Sequence, residues 1–222
     1  MTSYTQLLDQ LNSLADEKYR DFNKKLLNNP SVNVMGVRVP QLRAVAKQFK
    51  NDDEVFSFPD EWYEVTFIKL TVASSKKYDE FIKLADYCVS VIDNWASCDC
   101  FKANCISSHK QEFLTYINKY MDDGREFYQR YALTTLLHFY VSEEYLDIIF
   151  SCLSRADTKQ YYVHMGAAWL MAEVLIKFYD VGTAFLKECR LDARTHNKAI
   201  SKARESYRLS TAQKNNLINL KR

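Results

Sequence analysis

The stretch Tyr-Thr-Gln-Leu-Leu-Asp-Gln-Leu-Asn-Ser-Leu-Ala-Asp-Glu-Lys-Tyr-Arg-Asp-Phe-Asn-Lys-Lys-Leu-Leu, residues 4–27, decides the fold class. Leu7, Leu11, Leu14 and Tyr19 trace one apolar stripe at helical spacing, and the segment reads as one long helix. The pattern recurs downstream, where Phe81, Leu84, Cys88 and Val91 mark a second stripe in "EFIKLADYCVSVI". Helix breakers are scarce: the chain has 4 glycines and 3 prolines, and none of the prolines follows Pro59. An all-α chain is therefore expected. Pro40 in "RVPQLRAVAKQF" suits a first helical turn, where its missing N–H costs nothing. Ser57 in "FSFPDEW" reads as an N-cap with Asp60 and Glu61 behind it. "STAQ" at 210–213 reads as a capping box opening a final helix. These signals give about twelve helices.

Taken two at a time, the helices form units of roughly 35 to 45 residues, the period of HEAT and armadillo arrays. The expectation is an α-solenoid of HEAT-like repeats with a concave surface, forming one domain over 1–222. A compact irregular bundle is the alternative.

Composition narrows the function classes. Among the 222 residues, 47% are hydrophobic and 26% charged, as in ordinary folded proteins. No run of about 18 apolar residues predicts a membrane span. The first residues lack a basic segment followed by an apolar one, so cytoplasmic residence is expected. Six cysteines then read as reduced thiols. Cys98, Cys100, Cys105 and His109 do not have a usual zinc spacing, and the three cysteines read as small buried hydrophobes. Nothing calls for a metal, a nucleotide or a flavin. A net charge of +2 does not identify a nucleic-acid binder, so local placement decides. Arg190, Arg194, Lys198, Lys202, Arg204 and Arg208 make the C-terminal part basic.

The stretch "NWASCDCF", residues 94–101, mixes an indole, a carboxylate and thiols. On a helix, Trp95, Asp99 and Lys102 share one face, while Cys98, Phe101 and Cys105 form a core stripe beside it. Arg130 comes 35 residues after Trp95, and Trp169 comes 39 after Arg130. Each gap is about one repeat, which would place them on equivalent faces of successive units. The alternative makes each tryptophan a core plug and Arg130 a surface charge.

Five segments, "MGVRVPQLRAVAK", "NWASCDCF", "YQRYAL", "YYVHMGAAWLMAEVL" and "THNKAISKARESYR", occur in this order across most of the chain. Together they resemble the DNA alkylation repair proteins built from HEAT-like repeats, the AlkD-like glycosylases. The resemblance implies hydrolysis of the N-glycosidic bond of purines made cationic by alkylation at N3 or N7, in double-stranded DNA. It also implies that Trp95, Asp99 and Trp169 face the lesion and that Arg130 holds the DNA. A carboxylate can stabilise the positive charge that develops on the sugar and orient a water. Indole faces attract a cationic sugar or base by about 0.5–2 kcal/mol. Arginine can grip a phosphate with two hydrogen bonds. Arg38, Arg43, Lys47, Lys102, Lys198, Lys202 and Arg204 are then candidate phosphate contacts. A non-catalytic HEAT-like module binding branched DNA or a protein is the second reading. A monomer is expected.

Overall fold

The computed structural model describes residues 3–188 and 190–222. Cys189, one of the six thiols, lies outside the described residues. Among those residues there are thirteen α-helices and no strands. The chain divides into two compact units, one ending at Ser108 and the other beginning at His109. The sequence reading treats both as one domain; each is described by itself below.

The first unit opens with two helices where one was expected, α1 (Tyr4–Leu14) and α2 (Glu17–Leu27). Ala15 is extended, and Asp16 takes the N-cap position of α2, its Oδ1 accepting the Tyr19 N–H at 2.9 Å. Aspartate serves better as an N-cap than inside a helix, where it competes for backbone hydrogen bonds. Helix α3 (Val39–Ala46) carries Pro40 in its first turn, as expected. Ser57 does not cap a helix. It ends a 3-10 turn, Asp53–Ser57, and α4 (Tyr63–Ser74) starts after Trp62. Two further helices follow, α5 (Tyr78–Ser90) and α6 (Trp95–Cys100). Helix α4 is buried along nearly its whole length, as a central helix is, and carries Glu64 and Lys69 into the interior with it. Leu7, Leu11, Leu27, Leu42, Phe49 and Ile68 are among the buried side chains of the same core.

The second unit holds α7 (Lys110–Asp122), α8 (Glu126–Phe139), α9 (Leu146–Arg155), α10 (Tyr161–Lys177), α11 (Tyr179–Lys187), α12 (Ala193–Glu205) and α13 (Thr211–Ile218). Helices α7 and α8 are antiparallel: Tyr120 packs on Tyr131 at one end, and the Tyr140 hydroxyl donates to the Lys110 carbonyl at the other. Helices α8 and α10 run parallel, joined at Arg130–Tyr162 and again at His138–Trp169. Helices α10 and α12 pair the same way, through His164–Thr195 and the recess shared by Trp169 and Lys202. Phe150 of α9 stacks on Phe185 of α11 at 4.3 Å. Tyr179 of α11 accepts from Asn216 of α13. Five hydrogen bonds between elements of this unit join residues 31 to 37 positions apart, around the short end of the expected period. The capping box at Ser210 opens α13 as expected.

Candidate nucleic-acid interface

In the first unit, α6 is fixed at both ends. Asn94 caps it by accepting the Ser97 N–H at 2.9 Å, and the Asn94 amide donates to Asp93 and to the Ser97 hydroxyl. Phe101 leaves helical geometry and turns inward to pack on Phe81. This short helix keeps Trp95 and Asp99 one turn apart on one face, both half-buried. The Trp95 indole N–H donates to the Leu26 carbonyl at 2.9 Å. That carbonyl belongs to the last turn of α2 and lacks an intrahelical donor, so the indole acts as a cap and holds its own ring in place.

The helix is too short for two other expectations. Lys102 lies beyond its end, so it does not continue the Trp95–Asp99 face, although it is exposed. Cys105 lies in a separate 3-10 turn and is half-buried, so the expected Cys98–Phe101–Cys105 stripe is not one helical stripe. Cys98 is buried as expected; Cys100 is not, being exposed at the end of α6. Its thiol pKa is raised by local burial, against the pull of the Arg43 guanidinium, with Asp99 adding to the rise. Arg43 of α3 therefore lies within electrostatic reach of Cys100. Buried Cys88 is pushed up to about 12 by desolvation and is an inert thiol. Among the described residues no group of three or more His, Cys, Asp or Glu is placed to hold a metal ion.

Arg43 and Lys47 are exposed along α3 and the turn after it. Arg38 is also exposed, but its Nη2 pairs with Asp16 at 3.1 Å and its guanidinium lies 4.6 Å from the centre of the Tyr19 ring. A phosphate would have to compete with Asp16 for it.

In the second unit, Trp169 is 36% exposed on α10, with the His138 ring 5.9 Å away and perpendicular. It lines a recess of about 280 Å³ with Lys202, Glu205, Arg208 and Glu173. Glu173 is not an open carboxylate: Arg208 grips it through two hydrogen bonds, at 2.8 and 2.6 Å. Lys198 is exposed, while Arg204 is half-buried with its Nε enclosed and unpartnered.

Arg130 departs from the expected surface clamp. It is only 5% exposed, its Nη1 donates to the Tyr162 carbonyl at 2.8 Å, and its aliphatic stem passes beside Gly166. Burying a guanidinium is tolerable only where hydrogen bonds compensate it. The arginine ties α8 to the first turn of α10.

Two polar residues that sequence reasoning passed over build the scaffold under this surface. Glu64 of α4 is wholly buried; its Oε1 accepts the N–H groups of Met35, Gly36 and Val37 at 3.1, 2.8 and 3.3 Å. Its Oε2 accepts from Met35 at 3.0 Å. The carboxylate thus fixes the loop that launches α3. Lys69, equally buried, donates to the Phe58 carbonyl, to Asp60 at 2.8 Å and to the Tyr87 hydroxyl at 2.7 Å. Their signal was present: Glu64 and Lys69 are the two charges in the otherwise uncharged run 63–73, and buried charges must be paired.

The geometry defines an all-helical protein carrying accessible tryptophans, a half-buried carboxylate and exposed cations. The chain belongs to the DNA alkylation repair enzyme family, whose model matches residues 7–209. A search of curated proteins gives no match. No helix among the described residues is long and apolar enough to cross a membrane.

Proposed function

We propose that the protein is a monofunctional DNA glycosylase, releasing purines alkylated at N3 or N7 from duplex DNA, on a HEAT-like solenoid scaffold. Family membership supports the DNA substrate, and the five hydrogen bonds of the second unit that join residues 31 to 37 positions apart support the repeat reading. The observation that carries the chemistry is the pairing on α6 of Asp99 with an indole locked by the Leu26 carbonyl. An alkylated purine already bears positive charge and leaves without a strong general acid. The barrier lies in the cationic sugar, which a carboxylate stabilises electrostatically while it orients the attacking water. Trp95 adds an electron-rich face for the same charge, and Trp169 offers an accessible indole face of its own in the second unit. Arg130 holds α10 rather than a phosphate.

The test is release of 7-methylguanine from methylated duplex DNA under single-turnover conditions. Asp99→Asn, isosteric and neutral, is expected to lower the rate by about 100-fold or more, as loss of one preorganised electrostatic group does. Unchanged release would remove Asp99 from the mechanism. No release by wild-type protein that still binds the duplex would favour the non-catalytic module.

A further inference from the structure

In the first unit, α3 and α4 enclose a groove that brings Arg43 and Lys47, phosphate contacts implied by the family resemblance, together with Lys50. Arg43, Lys47 and Lys50 line one wall, and Thr71, Val72 and Ser75 the other, around about 270 Å³. No acidic residue lines it. Among the described residues neither Lys47 nor Lys50 is ion-paired. The two hydroxyl protons are already committed, Thr71 to the Phe67 carbonyl and Ser75 to the Val72 carbonyl. What the groove offers a ligand is cationic charge. The three cations stand about one helical turn apart, a spacing at which like charges repel. An anion lying along them would relieve that repulsion.

The groove continues into a neighbouring hollow of about 510 Å³ that shares Lys50 and Ser75 and adds Lys76 and Lys77. Asp53 and Glu80 also line that part, and Asp53 is taken up by Lys76. At its other end the groove begins at Arg43 of α3; α3 packs on α4, and α4 packs in turn on α6, the helix of Asp99.

We infer that this groove binds the sugar-phosphate backbone of one strand of duplex DNA as it leaves the lesion, with Lys50 as a contact the sequence did not suggest. The inference rests on the DNA-repair reading. From Arg43 to Lys50 the cations span about 10 Å at about 1.5 Å per residue. That length matches about three nucleotide steps at about 3.4 Å of axial rise per nucleotide. The length of the cationic row, which a single phosphate would not fill, is what selects a nucleic-acid backbone over a free phosphate.

The experiment measures affinity for a short unmodified duplex by fluorescence anisotropy across a salt series. Each neutralised phosphate contributes about 0.9 to the slope of log affinity against log salt. Lys50→Gln is expected to lower the slope by about 0.9, so that between about 50 and 200 mM salt the variant loses about 3.5-fold less affinity than wild type. Lys83→Gln, an exposed lysine of α5 away from the groove, removes the same charge and is expected to leave the slope unchanged. A wild-type slope for Lys50→Gln, or an equal drop for Lys83→Gln, overturns the inference. If Lys50→Gln keeps the slope while Asp99→Asn abolishes base release, the groove assignment fails and the glycosylase reading stands. If the slope drops but wild-type protein releases no base, the reverse holds. Wild-type protein that binds no duplex overturns both.

Discussion

Replacing Glu64 by glutamine changes almost no volume and removes one charge from the centre of the first unit. The carboxylate accepts three backbone N–H groups, those of Met35, Gly36 and Val37. Hydrogen bonds to a charged acceptor contribute about 1.5–3 kcal/mol each, against about 0.5–1.5 for a neutral one. If the glutamine oxygen keeps the Oε1 position, its NH2 group faces the Met35 N–H, donor against donor. Three weakened bonds and that contact give a loss of about 3 kcal/mol, a large share of the usual 5–15 kcal/mol. Hydrogen exchange read by mass spectrometry is the suitable assay, because two compact units need not unfold as one. Exchange at Met35, Gly36 and Val37 is expected to rise about 100-fold, and α3, with Arg43, to lose its fixed launch point. Protection within about two-fold of wild type at these amides, with a stability loss below about 0.5 kcal/mol, would refute the claim that the carboxylate organises the loop.

Two further outcomes rest on the same reasoning about backbone and charge. Gly36 has φ of +100°, and a Cβ there would meet the Asp16 carbonyl at 2.5 Å and Arg20 Cβ at 2.7 Å. Gly36→Ala is expected to cost about 3 kcal/mol by chemical denaturation, from strain and overlap together. Gly124→Ala, at φ +84° with nothing within 4 Å, is expected to cost only about 1 kcal/mol, and equal losses would sink the packing argument. His164 is buried between α10 and α12, and desolvation, helped by Arg194, holds its pKa below the ordinary histidine range. Below the unfolded pKa of about 6.5 the unfolded chain therefore binds more protons than the folded one, and stability falls as pH drops through that window. Denaturation midpoints between pH 7.5 and 5.5 are expected to decline less steeply in His164→Gln; an unchanged slope would exclude this histidine as the cause.

What the sequence disclosed follows from what is local. The scarcity of glycine and proline, the stripe through Leu7 and Leu11, Pro40 and the Ser210 capping box all act over a few residues, and each reappears where expected. The errors came where a neighbouring element decided the outcome. Asp16 broke the first helix because its backbone N–H bonds to the Gly36 carbonyl and its side chain to Arg38, contacts twenty residues away in the chain. The helix at Trp95 stopped after Cys100 because Phe101 found Phe81, and with it Lys102 left the face it was assigned to. Trp95 and Asp99 kept the relation read from their spacing, since four residues within one turn need no outside help. Trp95's anchor, the Leu26 carbonyl, could not be foreseen from 69 positions away.

Arg130 shows why a residue can matter to a site without touching a ligand. Gln129 beside it is also buried, donating to the Met121 carbonyl and accepting from the Asp157 N–H. Together the two side chains tie α8 to the segments before and after it. The carbonyl that Arg130 holds belongs to Tyr162, and Trp169 follows seven residues later, two turns along the same helix and nearly on the same face. A bond that fixes the rotation of α10 at Tyr162 therefore fixes the direction in which the indole of Trp169 leaves the helix. Loss of activity on removing Arg130 would be expected from that link alone, and so would not by itself identify a phosphate contact. The salt slope separates the two roles: a structural tie leaves it unchanged, whereas a phosphate contact lowers it by about 0.9.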